Sequence, residues 1–323
     1  MKYFDVYFVN IFVNTSFDSR KGVLEMDHFC RTDLASESYE QVGGCLDGVE
    51  HTTQTFGGYT IHRTLIFHED AAKRLGKPLG EYVTIECGNV QYLTHDESDV
   101  CAEILAGELH GLTSRLLGRV RDSELSVLAV GLGNSELTAD AIGPMTVSRL
   151  TATRHLKEHE PELYLALGCS SLSILAPGVL GQTGIETLEL LRNAVESVRP
   201  DLILVIDALA AASCERLATT IQFSNVGIVP GSGVGNHRSA ITQQTVGVPV
   251  ISIGVPTVVD STTLVFDALR LAKIDETEGF MRKVLENRCN FFVSPKESDV
   301  IVSHFSKLIS KAIELAFVGK LPF

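Results

Sequence analysis

Two aspartates stand where apolar runs give way to loops, and their residue type and placement suit hydrolysis. Ser126-Val127-Leu128-Ala129-Val130 leads through Gly131-Leu132-Gly133-Asn134 to Asp140, and Leu202-Ile203-Leu204-Val205-Ile206 ends directly on Asp207. Carboxyl groups that approach closely cannot both ionise, so one keeps its proton while the other acts as a base toward water. That is acid–base machinery for peptide hydrolysis. Each aspartate taken alone reads more simply as the cap of a following helix, and it is the occurrence of two at neighbouring strand ends that points to chemistry. A third acid, Asp260, follows Val248-Pro249-Val250-Ile251-Ser252-Ile253 and competes with them, or caps the helix expected from Ser261.

Other chemistries are poorly served. The paired glycines 131 and 133 allow a tight turn, but a dinucleotide loop would carry Gly or Ala at 136, where Glu136 would repel a pyrophosphate. His155-Leu156-Lys157-Glu158-His159 matches a zinc-peptidase spacing, yet it lies in a charged run ending at Pro161, which describes a solvated helix end. A zinc peptidase using His155 and His159 is the second enzymatic reading, and a ligand-binding protein without catalysis is the third. There is no G-x-S-x-G elbow. Pro230-Gly231-Ser232-Gly233-Val234-Gly235-Asn236 reads as a loop whose glycines let backbone approach a ligand or another chain.

The elements that must position these acids follow from periodicity. The runs at 126–130, 202–206 and 248–253 read as strands buried on both faces, separated by loops and by helices expected near 140–158, 184–198, 208–218 and 261–272. Further helices are expected at 276–287 and 297–317. Upstream, 59–67 and 82–85 read as strands and 96–117 as a helix, with Ile104, Leu105, Leu109 and Leu112 on one face. The expected fold is α/β, a mostly parallel sheet with helices on both faces. A turn-rich entry precedes it, and about 50–95 forms a β-rich subregion. Ligands in such sheets collect beyond the carboxyl ends of the strands.

With 323 residues and 45% apolar content, the chain can fill a real core. A formal charge of −13 without any basic run argues against direct nucleic-acid binding. Seven scattered cysteines without a C-x-x-C pair read as reduced thiols of a cytoplasmic protein. Residues 1–14 are rich in β-formers but broken by Asp5, Asn10 and Asn14. They suit an edge strand or a removable extension, and neither a signal peptide nor a membrane anchor.

One hydrophilic stretch remains, Arg31-Thr32-Asp33-Leu34-Ala35-Ser36-Glu37, which reads as a polar loop or as a cleavage site. With it, in order, come Gly131-Leu132-Gly133-Asn134, Ala176-Pro177-Gly178-Val179-Leu180-Gly181-Gln182-Thr183-Gly184-Ile185-Glu186-Thr187, Ile206-Asp207-Ala208-Leu209-Ala210-Ala211, Pro230 to Asn236 and Gly254-Val255-Pro256-Thr257-Val258-Val259-Asp260. This series, with Ser294-Pro295-Lys296-Glu297, resembles the germination proteases of spore-forming bacteria over about 31–318. The resemblance implies an endopeptidase of small acid-soluble spore proteins in the spore core, made as an inactive precursor and assembled as a homotetramer. It implies self-cleavage at Asp33-Leu34, which makes 1–33 a pro-segment and 34–323 one protease domain. It also implies a fold similar to hydrogenase maturation proteases and catalysis by Asp140 and Asp207; no cofactor is expected, and since those relatives bind a metal ion, a divalent ion near the aspartates is the minor alternative. Gly131, Gly133, Asn134, Glu186, Gly233 and Asp260 are the further substrate-site candidates. The first 30 residues depart from the pattern, being longer and more apolar than a usual leader.

Overall fold

The computed structural model describes residues 6–9, 32–119, 121–235, 238–272 and 291–319. Its strands are β1 (Val6–Val9), β2 (Val49–Phe56), β3 (Tyr59–Ile66), β4 (Gly80–Glu86), β5 (Ser126–Gly131), β6 (Ser171–Leu175), β7 (Leu202–Ala211), β8 (Thr220–Ser224), β9 (Val250–Asp260) and β10 (Phe292–Pro295). The helices are α1 (Ala35–Gln41), α2 (Glu69–Leu75), α3 (His95–Leu117), α4 (Ile142–Val147), α5 (Arg154–His159), α6 (Pro161–Leu167), α7 (Leu180–Thr183), α8 (Thr187–Val198), α9 (Gln243–Val246), α10 (Ser261–Leu271) and α11 (Ser298–Ile313).

All ten strands join one sheet in the order β2-β3-β4-β8-β9-β7-β5-β6, with β10 pairing the far end of β9 and β1 pairing β10. The sheet is mixed, which corrects the mostly parallel expectation. Only β6-β5-β7-β9 run parallel. Strands β2, β3, β4 and β8 are antiparallel neighbours: a tight hairpin joins β2 to β3, the connection carrying α2 joins β3 to β4, and β8 returns from β7 to pair with β4 and β9. The turn-rich entry expected before residue 59 is mostly β2, which the hairpin at Gly57-Gly58 returns into β3.

Side-chain alternation divides β7 between two cores. Leu202, Leu204 and Ile206 pack with Leu105 and Leu109 of α3, Ile142 of α4 and Phe305 of α11. Ile203 and Val205 pack on the other face with Leu188 and Leu191 of α8 and Val246 of α9. On that second face Ala35 of α1 and Ala71 and Leu75 of α2 cover Ile66 and Tyr82. Between these two patches of helix the sheet carries residues 32–34, which run into α1.

Three expectations fail in instructive ways. Residues 208–211 are strand, not helix. Ala208-Leu209-Ala210-Ala211 favours a helix in isolation, but β9 runs eleven residues and pairs with β7 as far as Ala211↔Val259. The strand placed at 248–253 therefore extends to Asp260, and Asp207 lies within β7 instead of at its end. The helix expected over 140–158 is two short helices, α4 and α5. The helix expected at 276–287 falls outside the described residues.

Helix α4 approaches the strand ends so closely that a side chain has no room. A Cβ on Gly143 would lie 2.2 Å from the carbonyl oxygen of Leu132 and 2.5 Å from that of Ile206. Replacing Gly143 by Ala should therefore destabilise the protein by about 1–3 kcal/mol through forced backbone displacement. Gly107→Ala in α3, where a Cβ meets nothing within 4 Å, should be neutral or stabilising. Equilibrium urea unfolding of both variants checks the contrast.

Candidate active site

The end of β5 builds the first half of the site. Beyond the Gly131↔Ile206 pair the backbone turns away, held by a 2.8 Å bond from Leu132 N–H to the Ile206 carbonyl. It then closes in the short turn Thr138–Asp140, where Thr257 Oγ1 donates to the Ala139 carbonyl. Asp140 accepts the N–H of Asn134 at 2.8 Å. A Cβ on Gly133 would lie 2.0 Å from the Asp140 carbonyl oxygen, so this glycine lets the loop fold onto the aspartate. Asn134 in turn accepts from Gln182 of α7.

Asp207 supplies the second half. It is 5% exposed and accepts the N–H of Ala208 at 2.9 Å. Burial raises its carboxyl well above the ordinary range, and the nearby charges of Asp140 and Asp33 raise it further. Burial also raises Asp140, against the Asn134 hydrogen bond. Arg238 opposes both shifts, and its Nη1 is buried without a hydrogen-bond partner among the described residues. The two aspartates thus form an electrostatically coupled pair in which Asp207 holds a proton more readily than an ordinary carboxyl.

The segment around Asp33 is seated against this pair. Beyond Ile206, β5 no longer covers β7, and residues 32–37 bond to the uncovered backbone. Asp33 N–H donates to the Ala210 carbonyl, and Ala210 N–H donates back to Asp33 Oδ2, both at 2.9 Å. Ser232 Oγ donates to Asp33 Oδ1 at 2.8 Å. A Cβ on Gly233 would lie 2.2 Å from Asp33 Oδ2, so the glycine loop closes directly over this carboxylate. Leu34 is fully buried. Lys77 Nζ donates to the Thr32 carbonyl, and Glu37 Oε2 accepts from Ala212 N–H and from Thr32 Oγ1.

The remaining candidates lie elsewhere. Asp260 accepts the N–H of Thr262 at 2.7 Å, the cap of α10. Glu186 stands at the start of α8, where its carbonyl accepts from Glu189 and Leu190, and it lines a shallow cleft with Arg192 and Ser239. His155 and His159 are exposed on α5. Among the described residues no group of three or more His, Cys, Asp or Glu could hold a metal ion, and no helix is long and apolar enough to cross a membrane. Sequence reasoning missed Gln222, Ser232 as an individual ligand, Arg238, Lys77 and Glu37. Gln222 alternates with Thr220 and Ser224 on the polar side of β8, so its residue type alone did not single it out.

Glu37 gives the seat a pH dependence. Burial raises its pKa from 4.5 to about 7 against the Ala212 and Thr32 hydrogen bonds and Arg216, and its Oε1 is buried without a partner among the described residues. A carboxyl raised in the folded state stabilises fully below its unfolded pKa and loses that contribution as pH rises through the folded value. Thermal melts of the full chain should therefore fall as pH rises from 4.5 toward about 7. Glu37→Gln should flatten the slope across that window, and an unchanged slope would remove Glu37 as its source.

A family model described as germination protease matches residues 31–273. A germination protease of Caldanaerobacter subterraneus subsp. tengcongensis is 42% identical over 309 residues, which cover 88% of this chain and 93% of that protein. One from Clostridium perfringens is 39% identical over 313 residues, with 88% and 94% covered. One from a Geobacillus species is 43% identical over 249 residues, with 74% and 66% covered.

Proposed function

The chain belongs to the germination protease family, a family of peptidases, and from that premise we propose an endopeptidase that uses Asp140 and Asp207 to activate water. It is made as an inactive precursor in which residues 1–33 form a pro-segment and 34–323 the protease domain. It cuts itself at Asp33-Leu34, and its substrates are the small acid-soluble spore proteins, degraded in the spore core at germination. The resemblance to the family supports a homotetramer. The parallel strands β6-β5-β7-β9, covered by helices on both faces, support a likeness to hydrogenase maturation proteases.

The observation that carries this reading is the buried Asp207, its carboxyl raised by the charge of the half-buried Asp140, with the Asp33-Leu34 segment bonded to the strand that carries Asp207. One aspartate, ionised, takes a proton from water as the oxygen attacks the carbonyl carbon of the residue before the cut. The other, protonated, hydrogen-bonds the developing oxyanion or the leaving nitrogen. The raised Asp207 suits the proton-holding role and Asp140 the base, although the pair titrates as a unit.

Asp140→Asn and Asp207→Asn should each lower cutting by roughly 10²–10⁴-fold or more while leaving circular dichroism and thermal melting intact. Mass spectrometry of the full chain under mildly acidic conditions should find a product beginning at Leu34 from the parent and from neither variant. Undiminished cutting by both variants would rule the pair out.

A further inference from the structure

Register carries the site further than the two aspartates. Asp207 pairs with Gly254, Gly254 with Gln222, Gln222 with Thr84 and Thr84 with His62. Residues directly opposite one another on paired strands share a face. Asp207 and Gln222 therefore look out from the same face, two strands apart, with a glycine between them. Residues 33–35 cross the sheet at this level.

Gln222 is 6% exposed, and both ends of its carboxamide are taken by that crossing segment. Its Nε2 donates to the carbonyl oxygen of Asp33 at 3.0 Å, and its Oε1 accepts the N–H of Ala35 at 2.7 Å. Those two groups flank the Asp33-Leu34 peptide bond. Leu34 N–H, the nitrogen that would leave, is bonded to Thr32 Oγ1 at 2.9 Å and makes no demand on Gln222.

We propose that Gln222 brackets the bond to be cut: its Nε2 stabilises the oxyanion formed at the carbonyl before the cut, and its Oε1 fixes the register of the peptide through the second amide after it. This rests on the reading that Asp33-Leu34 is cut. Water oxygen adds to the Asp33 carbonyl carbon, and the water proton passes to the ionised aspartate. The carbonyl π pair moves onto oxygen, where the Nε2–H already points. Collapse breaks the C–N bond, the Leu34 nitrogen takes a proton from the aspartate pair, and the second water proton passes from the new Asp33 α-carboxyl to the amine, so the products are an Asp33 α-carboxylate and a Leu34 ammonium. One water is consumed. The same bracket serves a substrate in trans, since it contacts backbone groups only. Selection of an acidic residue before the cut then falls to Ser232 Oγ and Ala210 N–H, which hold the Asp33 side chain.

The test is the rate at which the full chain produces a Leu34 N-terminus, followed by mass spectrometry from mildly acidic to neutral pH in the parent, Gln222→Glu and Gln222→Met. A lost oxyanion donor costs roughly 10²–10³ in rate. Gln222→Glu, nearly the same shape, should be slower by that factor near neutrality and should regain rate as pH falls and its carboxyl takes up a proton to donate. Gln222→Met should be slow throughout. A residue that only fills the sheet would give neither the loss nor the pH-dependent recovery. A parent that cuts beside a Gln222→Glu variant with the parent's rate and profile overturns this inference alone. A parent that makes no cut at this bond overturns the self-cleavage reading and this inference with it.

Discussion

The site depends on β7 outrunning its neighbour β5. An uncovered strand edge presents backbone N–H groups that must find partners if they are to be buried. Here Ala208, Ala210 and Ala212 each donate to a carboxylate oxygen, from Asp207, Asp33 and Glu37 respectively. The alanines leave the edge open to close approach, and β9 keeps pairing β7 from its other side as far as Ala211↔Val259, past a bulge at Thr257 where the register shifts between Leu209 and Ala210. Were β5 longer, it would take those amides and neither Asp33 nor Glu37 would have a seat.

Packing three acids and Asp140 around one strand creates an electrostatic problem that the protein meets with few cations. Arg238 acts on Asp140 and Asp207, Arg216 acts on Glu37, and Lys77 touches the segment's backbone while its own burial lowers its pKa. Protons supply the remaining neutralisation. Asp207 and Glu37 both hold theirs more tightly than free carboxyls do, so acid tightens the seat of residues 32–37 and alkali loosens it. On the proteolytic reading, acid keeps the Asp33-Leu34 bond in register with Gln222.

Much of this was legible in the sequence, and the rest was hidden for definite reasons. The apolar runs at 126–130 and 202–206 announced parallel strands, and Asp140 and Asp207 stood out as acids after them. The Ala-rich run after Asp207 misled, because intrinsic propensity favours helix and only the length of β9 overrides it. The antiparallel half was hard to see because β2, Val49–Phe56, is polar and exposed along most of its length. Gln222 was invisible as a ligand for another reason. Its importance comes from the register of β8 on β9, a relation between positions far apart in sequence that no local pattern carries.

On the proposed self-cleavage, the chemistry of the cut bears on how such a groove would empty. Before cleavage, the Leu34 nitrogen is a neutral amide in a fully buried residue, bonded to Thr32 Oγ1. Afterwards it is an amine that is largely protonated below its usual pKa of about 7.7–8.0. An ammonium in that place must be paired or hydrated, and burying it unpaired would cost more than the roughly 1.5–3 kcal/mol gained by burying a leucine side chain. Residues 32 and 33 lose their tether at the same moment, so the Asp33 contacts to Ala210 and Ser232 cease to be intramolecular. Hydrolysis of this one bond therefore weakens both sides of the seat, and Gln222, Ser232 and the edge of β7 become available to another peptide of the same chemistry.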